Sequence, residues 1–354
     1  MKKVAFIVIV FSLLIACKKT IPGTGTTPVI PFKAVVIDTI FREEVSIRAI
    51  YIDSNKIWYA GNKGRYGYRD LNSSKHFNGS VINDTLQLEF RSIAGTTKNI
   101  FILNVGSPAQ LYRIAKDGSR IEVVYTENHP KVFYDSMQFW DDNDGIAIGD
   151  PTEDCLSIII TRDGGNSWKK IPCDQLPKIN EGEAAFAASN TNIVVKGNVA
   201  WVVSGGKKSR VFYSPDKGNS WKVYGTPIVQ GQTMTGIFTA DFYNSTNGII
   251  AGGNYEIPNQ NHSNKAVTTN GGKTWNLIAE HQGFGYASCI QYVPGSNGKG
   301  LVCVGASGVF YSADNGQSWK QLYTDKELFT IRFQNDSTAI AAGKNKIVRI
   351  AFKK

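Results

Sequence analysis

The chain has 354 residues, 39 Lys and Arg against 29 Asp and Glu, and a formal charge of +10. That length excludes a small disulfide-stapled module and allows a large core. Lys2, Lys3, Lys18 and Lys19 supply part of the charge, so the body is only mildly basic, with no arginine-rich run or nucleic-acid module.

Residues 1–17 read as an export signal. Lys2 and Lys3 precede an apolar run over 4–15, and Leu14-Ile15-Ala16-Cys17 resembles a bacterial lipobox in which Cys17 becomes the lipidated first residue. The apolar run is shorter than the ~20 residues a membrane-spanning helix needs. Residues 18–33, rich in Pro, Gly and Thr, read as a flexible tether. No acidic stretch follows Cys17, which favours an outer-membrane anchor facing the periplasm over surface display.

The body, 34–354, is Gly-punctuated and rich in aromatic and β-branched residues, as all-β proteins are. A strand over 34–41 comes first. Two units follow, 47–61 with 66–69, and 90–106 with 111–125, the second carrying a decayed turn at Lys116-Asp117-Gly118. The third unit has strands over 133–140, 146–149, 156–161 and 168–171. Three more begin near Ala184, Gly236 and Ala287, and a last one spans 329–343 and 347–352.

Four units share an eight-residue turn: a hydroxyl residue, x, Asp or Asn, x, Gly, x, Ser or Thr, Trp. Its acidic or amide residues are Asp163, Asp216, Asn270 and Asp314, and its tryptophans Trp168, Trp221, Trp275 and Trp319 fall 53, 54 and 44 residues apart. Recurrence at such an interval is the mark of a propeller or solenoid. Asp or Asn accepts backbone N–H bonds inside the turn, and glycine supplies positive φ. This is the Asp-box, or BNR, repeat. Counting units predicts a seven-bladed β-propeller of four-stranded antiparallel blades, closed by the strand at 34–41 pairing with the last blade. Six blades is the alternative, with 90–125 as an insertion.

Over residues 35–354 the chain resembles the seven-bladed BNR propellers related to the photosystem II stability/assembly factor. The likeness rests on the boxes, on the arginine-plus-apolar start of several blades, and on Gly182-Glu183-Ala184-Ala185-Phe186-Ala187-Ala188-Ser189. It implies a non-catalytic binding or assembly role for a monomer, with a protein segment, an anionic ligand or a carbohydrate as partner, and no cofactor.

In such a propeller the boxes occupy one face. Binding falls on the other, built from the loops between second and third strands. The longest of these, 252–265, carries Tyr255. Arg48, Arg91 and Arg332 sit near the same place on three inner strands and would form a carboxylate or phosphate clamp, or else pair between blades. Lys207 and Arg210 would steer an anion towards it, and Tyr255 would add an aromatic contact.

A glycoside hydrolase is the alternative, with Glu183 and Asp150 as the two carboxylates. A sialidase-like form would use the three arginines, but the chain lacks an Arg-Ile-Pro start and has seven units rather than six. No Gly-x-Gly-x-x-Gly follows a strand, and His76, His129, His262 and His281 show no paired metal spacing. Cys155 with Cys173, and Cys289 with Cys303, are each symmetric about a turn, so two disulfides are expected in an oxidising envelope; buried free thiols are equally compatible.

Overall fold

The computed structural model describes residues 31–82 and 86–354. The export signal, Cys17 and residues 18–30 of the tether lie outside them.

Seven antiparallel sheets form the blades of a β-propeller, and seven inner strands stand side by side around the axis. In chain order these are Ile47–Asp53, Phe90–Gly95, Tyr134–Phe139, Ile193–Lys196, Thr235–Phe242, Ala287–Tyr292 and Leu328–Phe333. The strand Ala34–Phe41 pairs with Lys346–Lys353 as the outer strand of blade 7, so the first and last segments close the ring with main-chain bonds. The body begins slightly earlier than expected: Phe32 is buried against Tyr311 and Phe352, and the Lys33 amide donates to the Lys353 carbonyl at 2.7 Å.

Each blade is apolar on both flat faces, as a sheet packed between two others must be. Seven apolar clusters result, one per interface. Trp58 and Ile100 meet between blades 1 and 2. Trp201 and Phe242 stack at 3.8 Å between blades 4 and 5.

The box chemistry is visible in bonds. Ser214 Oγ donates to Asp216 Oδ1 at 3.0 Å and accepts from the Gly218 amide at 2.7 Å. Asp216 also takes the Ser220 amide at 2.8 Å and its hydroxyl at 2.7 Å. Asn270 repeats the pattern through Oδ1 and Nδ2. The box glycine carries a left-handed φ, +84° at Gly316, and a Cβ there would stand 2.5 Å from Ile278 of the preceding blade. Only glycine lets the turn press so close.

Blade 4 departs from expectation. Its inner strand does not begin near Ala184 but at Ile193, nine residues on. Glu183–Ala184 instead pair with Gly205–Gly206, which extends the sheet of blade 5. Residues 185–192 then leave the blade and enter the axis.

The disulfide expectation is half met. Cys155 and Cys173 are bonded, Cα to Cα 5.5 Å, whereas Cys289 and Cys303 are buried free thiols. Register is the reason. Cys289 pairs with Val304 and Ile290 with Cys303, so the two sulfurs point to opposite faces of the sheet, one into the interface with blade 7 and one into that with blade 5.

Candidate functional site

Six inner strands carry a β-bulge near their start, each giving one extra residue: Arg48, Arg91, Asp135, Phe238, Ser288 and Phe329. A bulge re-aims its side chain away from the sheet faces. These residues lie at the end of the strand away from the boxes. In blade 3, for instance, Gly145 pairs with both Phe139 and Thr161 at the box end, and Gly149 with Tyr134 and Ser157 at the other.

The axis between the two mouths is closed by residues 185–192. This plug bonds to every other blade. The Ala188 carbonyl accepts from Arg48 at 3.2 Å and from Ser288 Oγ at 3.3 Å. Ser189 Oγ donates to the Ser288 carbonyl at 2.6 Å, and Thr330 Oγ1 to the Ser189 carbonyl at 3.1 Å. Asn190, in a left-handed conformation with φ 59°, spans blades 2 and 3 by donating to the Ile93 carbonyl and accepting the Met137 amide. The Ala240 amide of blade 5 donates to the Thr191 carbonyl at 2.9 Å. Small side chains make the passage fit, and Ser189, Asn190 and Thr191 pair polar groups that would otherwise be buried alone.

On the loop face, away from the boxes, lies a cavity of about 300 Å³ lined by Arg48, Tyr255, Tyr286, Ser288, Lys326 and Phe329 among others. Arg48 lies 4.4 Å over the Phe329 ring and gives one N–H to Ala188, which leaves four of a guanidinium's five without a partner among the described residues. Burial, and next the Arg91 charge, hold its pKa below the ordinary value, while Tyr286, Tyr255 and Glu89 oppose them. Aromatic rings line one side. Phe186 of the plug stacks on Phe238 at 4.0 Å, and Tyr286 meets Phe238 at 4.8 Å and Tyr255 at 5.1 Å. Tyr255 and the neighbouring Ile257 are 47% and 54% exposed on the long loop.

The three arginines do not converge. Arg48 and Arg91 share the loop-face mouth, where Arg91 pairs with Glu89 at 2.8 Å. Arg332 lies three residues beyond its bulge and opens on the box face, giving its terminal N–H groups to the Ser189 and Asn190 carbonyls at 3.2 Å, the Ile331 carbonyl and Thr330. It anchors the plug.

Glu183 and Arg210 form a buried ion pair. The Glu183 carboxylate has no exposed surface and accepts from Arg210 Nε and NH2, from Ser204 Oγ at 2.6 Å and from the Asn180 amide at 2.9 Å. Burial alone would raise its pKa; Arg210, Asn180 and Ser204 outweigh that and hold it low. The Glu183 carboxylate is not free for a ligand. Lys207 is exposed, 3.9 Å from Glu181.

Asp150 accepts the Ala185 amide at 2.9 Å, and burial lifts its pKa to about 6. Beside it stands a residue that sequence reasoning missed. Asp135 is fully buried and neither oxygen has a partner among the described residues. Burial, then repulsion from Asp150, raise its pKa well above the ordinary carboxylate value, and the Arg91 charge opposes them. Its signal was its place: it follows the first apolar residue of its strand just as Arg48 and Arg91 do.

A BNR/Asp-box repeat model matches residues 310–321. No curated protein matches the sequence. Among solved structures, YCF48 bound to D1 peptide superposes with a TM-score of 0.62 at 12% identity, covering 92% of this chain and 99% of that one. YCF48 from Cyanidioschyzon merolae gives 0.62 at 13% identity, over 91% of this chain and 99% of that one. The RRP9 WD40 repeats give 0.64 at 10% identity, over 91% and 100%. At such identities the likeness is one of fold. The chain is a seven-bladed β-propeller that carries a BNR/Asp-box repeat at residues 310–321.

Proposed function

We propose that the propeller is a non-catalytic binding or assembly platform. It takes a protein segment bearing an acidic group at the loop-face mouth, while Cys17 tethers it by lipid to the periplasmic side of a bacterial outer membrane. The observation that carries this reading is Arg48: largely desolvated, with most of its N–H groups unpartnered, and set in an aromatic cavity beside an exposed tyrosine. A desolvated guanidinium with spare donors suits a carboxylate. Tyr and Arg are also the side chains that most often dominate protein interfaces. Lys326 and Lys207 add positive charge at and near this face. A propeller of like fold, YCF48, has been solved with a bound peptide, which agrees with a peptide at this one.

Glycoside hydrolysis draws no support from Glu183, whose carboxylate is enclosed with Arg210. The test is binding of acidic peptides to the full chain, wild type against Arg48→Met. The expected loss is tenfold or more, about 1.4 kcal/mol, with wild-type binding weakening as salt rises. Equal affinity of the two proteins would remove Arg48 from the reading.

A further inference from the structure

The second mouth, on the box face, is a separate pocket of about 440 Å³, within the size range of small-molecule sites. Its floor is the plug residue Asn190, and its walls mix polar groups with the apolar side chains of Ile50, Ile93, Met137, Phe139 and Phe333. The residues three beyond each bulge reach it. From blades 5, 6 and 7 these are Asp241, Gln291 and Arg332.

Asp241 and Arg332 therefore face one pocket from blades on either side of Gln291. Burial raises the Asp241 pKa, opposed by the Tyr292 amide, the Lys196 charge, the Phe242 amide and last the Arg332 charge, and no ion pair joins Asp241 to Arg332 among the described residues. Each is held by the fold. Asp241 accepts the Phe242 amide at 2.8 Å and the Tyr292 amide at 2.7 Å, which fixes the carboxylate and leaves lone pairs over. The two terminal NH2 groups of Arg332 are taken by the plug, its own strand and Cys289 Sγ of blade 6, which leaves Nε–H without a partner among the described residues. The Gln291 amide has no hydrogen bond among the described residues and adds a donor and an acceptor between the two charges.

We propose that this mouth binds a free α-amino acid with an apolar side chain. Its ammonium would lie at Asp241, its carboxylate at Arg332 Nε–H and the Gln291 amide, and its side chain among Ile50, Ile93 and Met137. Two fixed opposite charges that do not pair with each other favour a ligand carrying both, because a single ion gains from only one of them. Fixing them beforehand removes the ordering cost from binding. The plug separates this pocket from the loop-face site, so either site stands or falls without the other.

Calorimetric titration of the full chain with L-leucine tests the proposal, alongside leucinamide and isocaproate, which each lack one of the two charges. Saturable one-to-one binding of leucine is expected, with both relatives at least tenfold weaker. Asp241→Asn should lose leucine binding. Gln291→Leu, which breaks no bond of the fold, should weaken it severalfold at an unchanged melting temperature. Absence of leucine binding up to about 10 mM, a free energy of about 2.7 kcal/mol, would overturn the proposal. So would isocaproate or leucinamide binding as well as leucine, or leucine binding indifferent to both substitutions.

Discussion

Replacing Glu183 by Gln separates a structural carboxylate from a catalytic one. The substitution keeps volume but turns an acceptor into an amide whose NH2 must face Arg210 or Ser204, both donors to Glu183 at 2.6–2.8 Å. Arg210 is left as a charge mostly out of water, with side-chain exposure of 19%. Breaking a buried pair by removing one partner costs about 3–5 kcal/mol. With an unfolding entropy of about 2.1 cal/mol/K per residue over some 320 residues, Tm should fall by roughly 4–7 °C. Urea unfolding followed by tryptophan fluorescence reads the same loss. Glu183→Gln with Arg210→Met should recover much of it, since an apolar pair needs no compensation. Because the folded-state pKa of Glu183 is depressed, its contribution is present above the unfolded value and fades as pH falls through the folded one. The gap between wild type and Glu183→Gln should therefore shrink in acid. A single variant within about 0.5 kcal/mol of wild type, the range of ordinary surface substitutions, would refute this account of the pair.

Four further outcomes follow from the structure. Asp216→Ala removes three box bonds and should cost about 1–2 kcal/mol, whereas Asp216→Asn should be close to neutral because Asn270 already does the same work; chemical denaturation compares them. Asp150, lifted to about 6, binds its proton more tightly in the folded state. Its contribution is full below the unfolded value near 4 and declines as pH rises through about 6, so Asp150→Asn should flatten the stability profile across pH 4–6. Opening the Cys155–Cys173 bond, which spans 18 residues, should lower stability by about 3 kcal/mol. Cys289 and Cys303, both buried, should resist alkylation until the protein unfolds, as mass spectrometry of the modified peptides can follow.

The architecture was legible because its determinants are local. A box needs eight consecutive residues, and each one both names a turn and places a blade. The closing strand was equally plain, since the last unit lacked one strand and the segment Ala34–Phe41 was spare. The plug was not legible. Its Ala, Ser, Asn and Thr residues read as an ordinary blade start, and their partners lie on six other blades up to 143 positions away. One trace of it existed in the spacing of the boxes. Trp168 and Trp221 are 53 apart against 44 for Trp275 and Trp319, and the surplus is about what residues 185–192 use. The gap of 54 before Trp275 instead belongs to the long loop carrying Tyr255. Candidate-site reasoning went astray where it assumed that like places on inner strands share a mouth. Arg48 and Arg91 are bulged and Arg332 is three residues deeper, a distinction that depends on register and not on residue type. Register likewise parted Cys289 from Cys303.

The account rests most directly on what touches the loop-face mouth in the cell. A photo-crosslinking amino acid placed at Tyr255 in the full chain, expressed in its own cells, samples that contact. A discrete protein adduct is predicted, lost on adding Arg48→Met and absent when the crosslinker sits at exposed Ile121 on the rim of blade 2. No adduct at Tyr255, or one that ignores Arg48 and appears equally from Ile121, would contradict a binding site at this mouth.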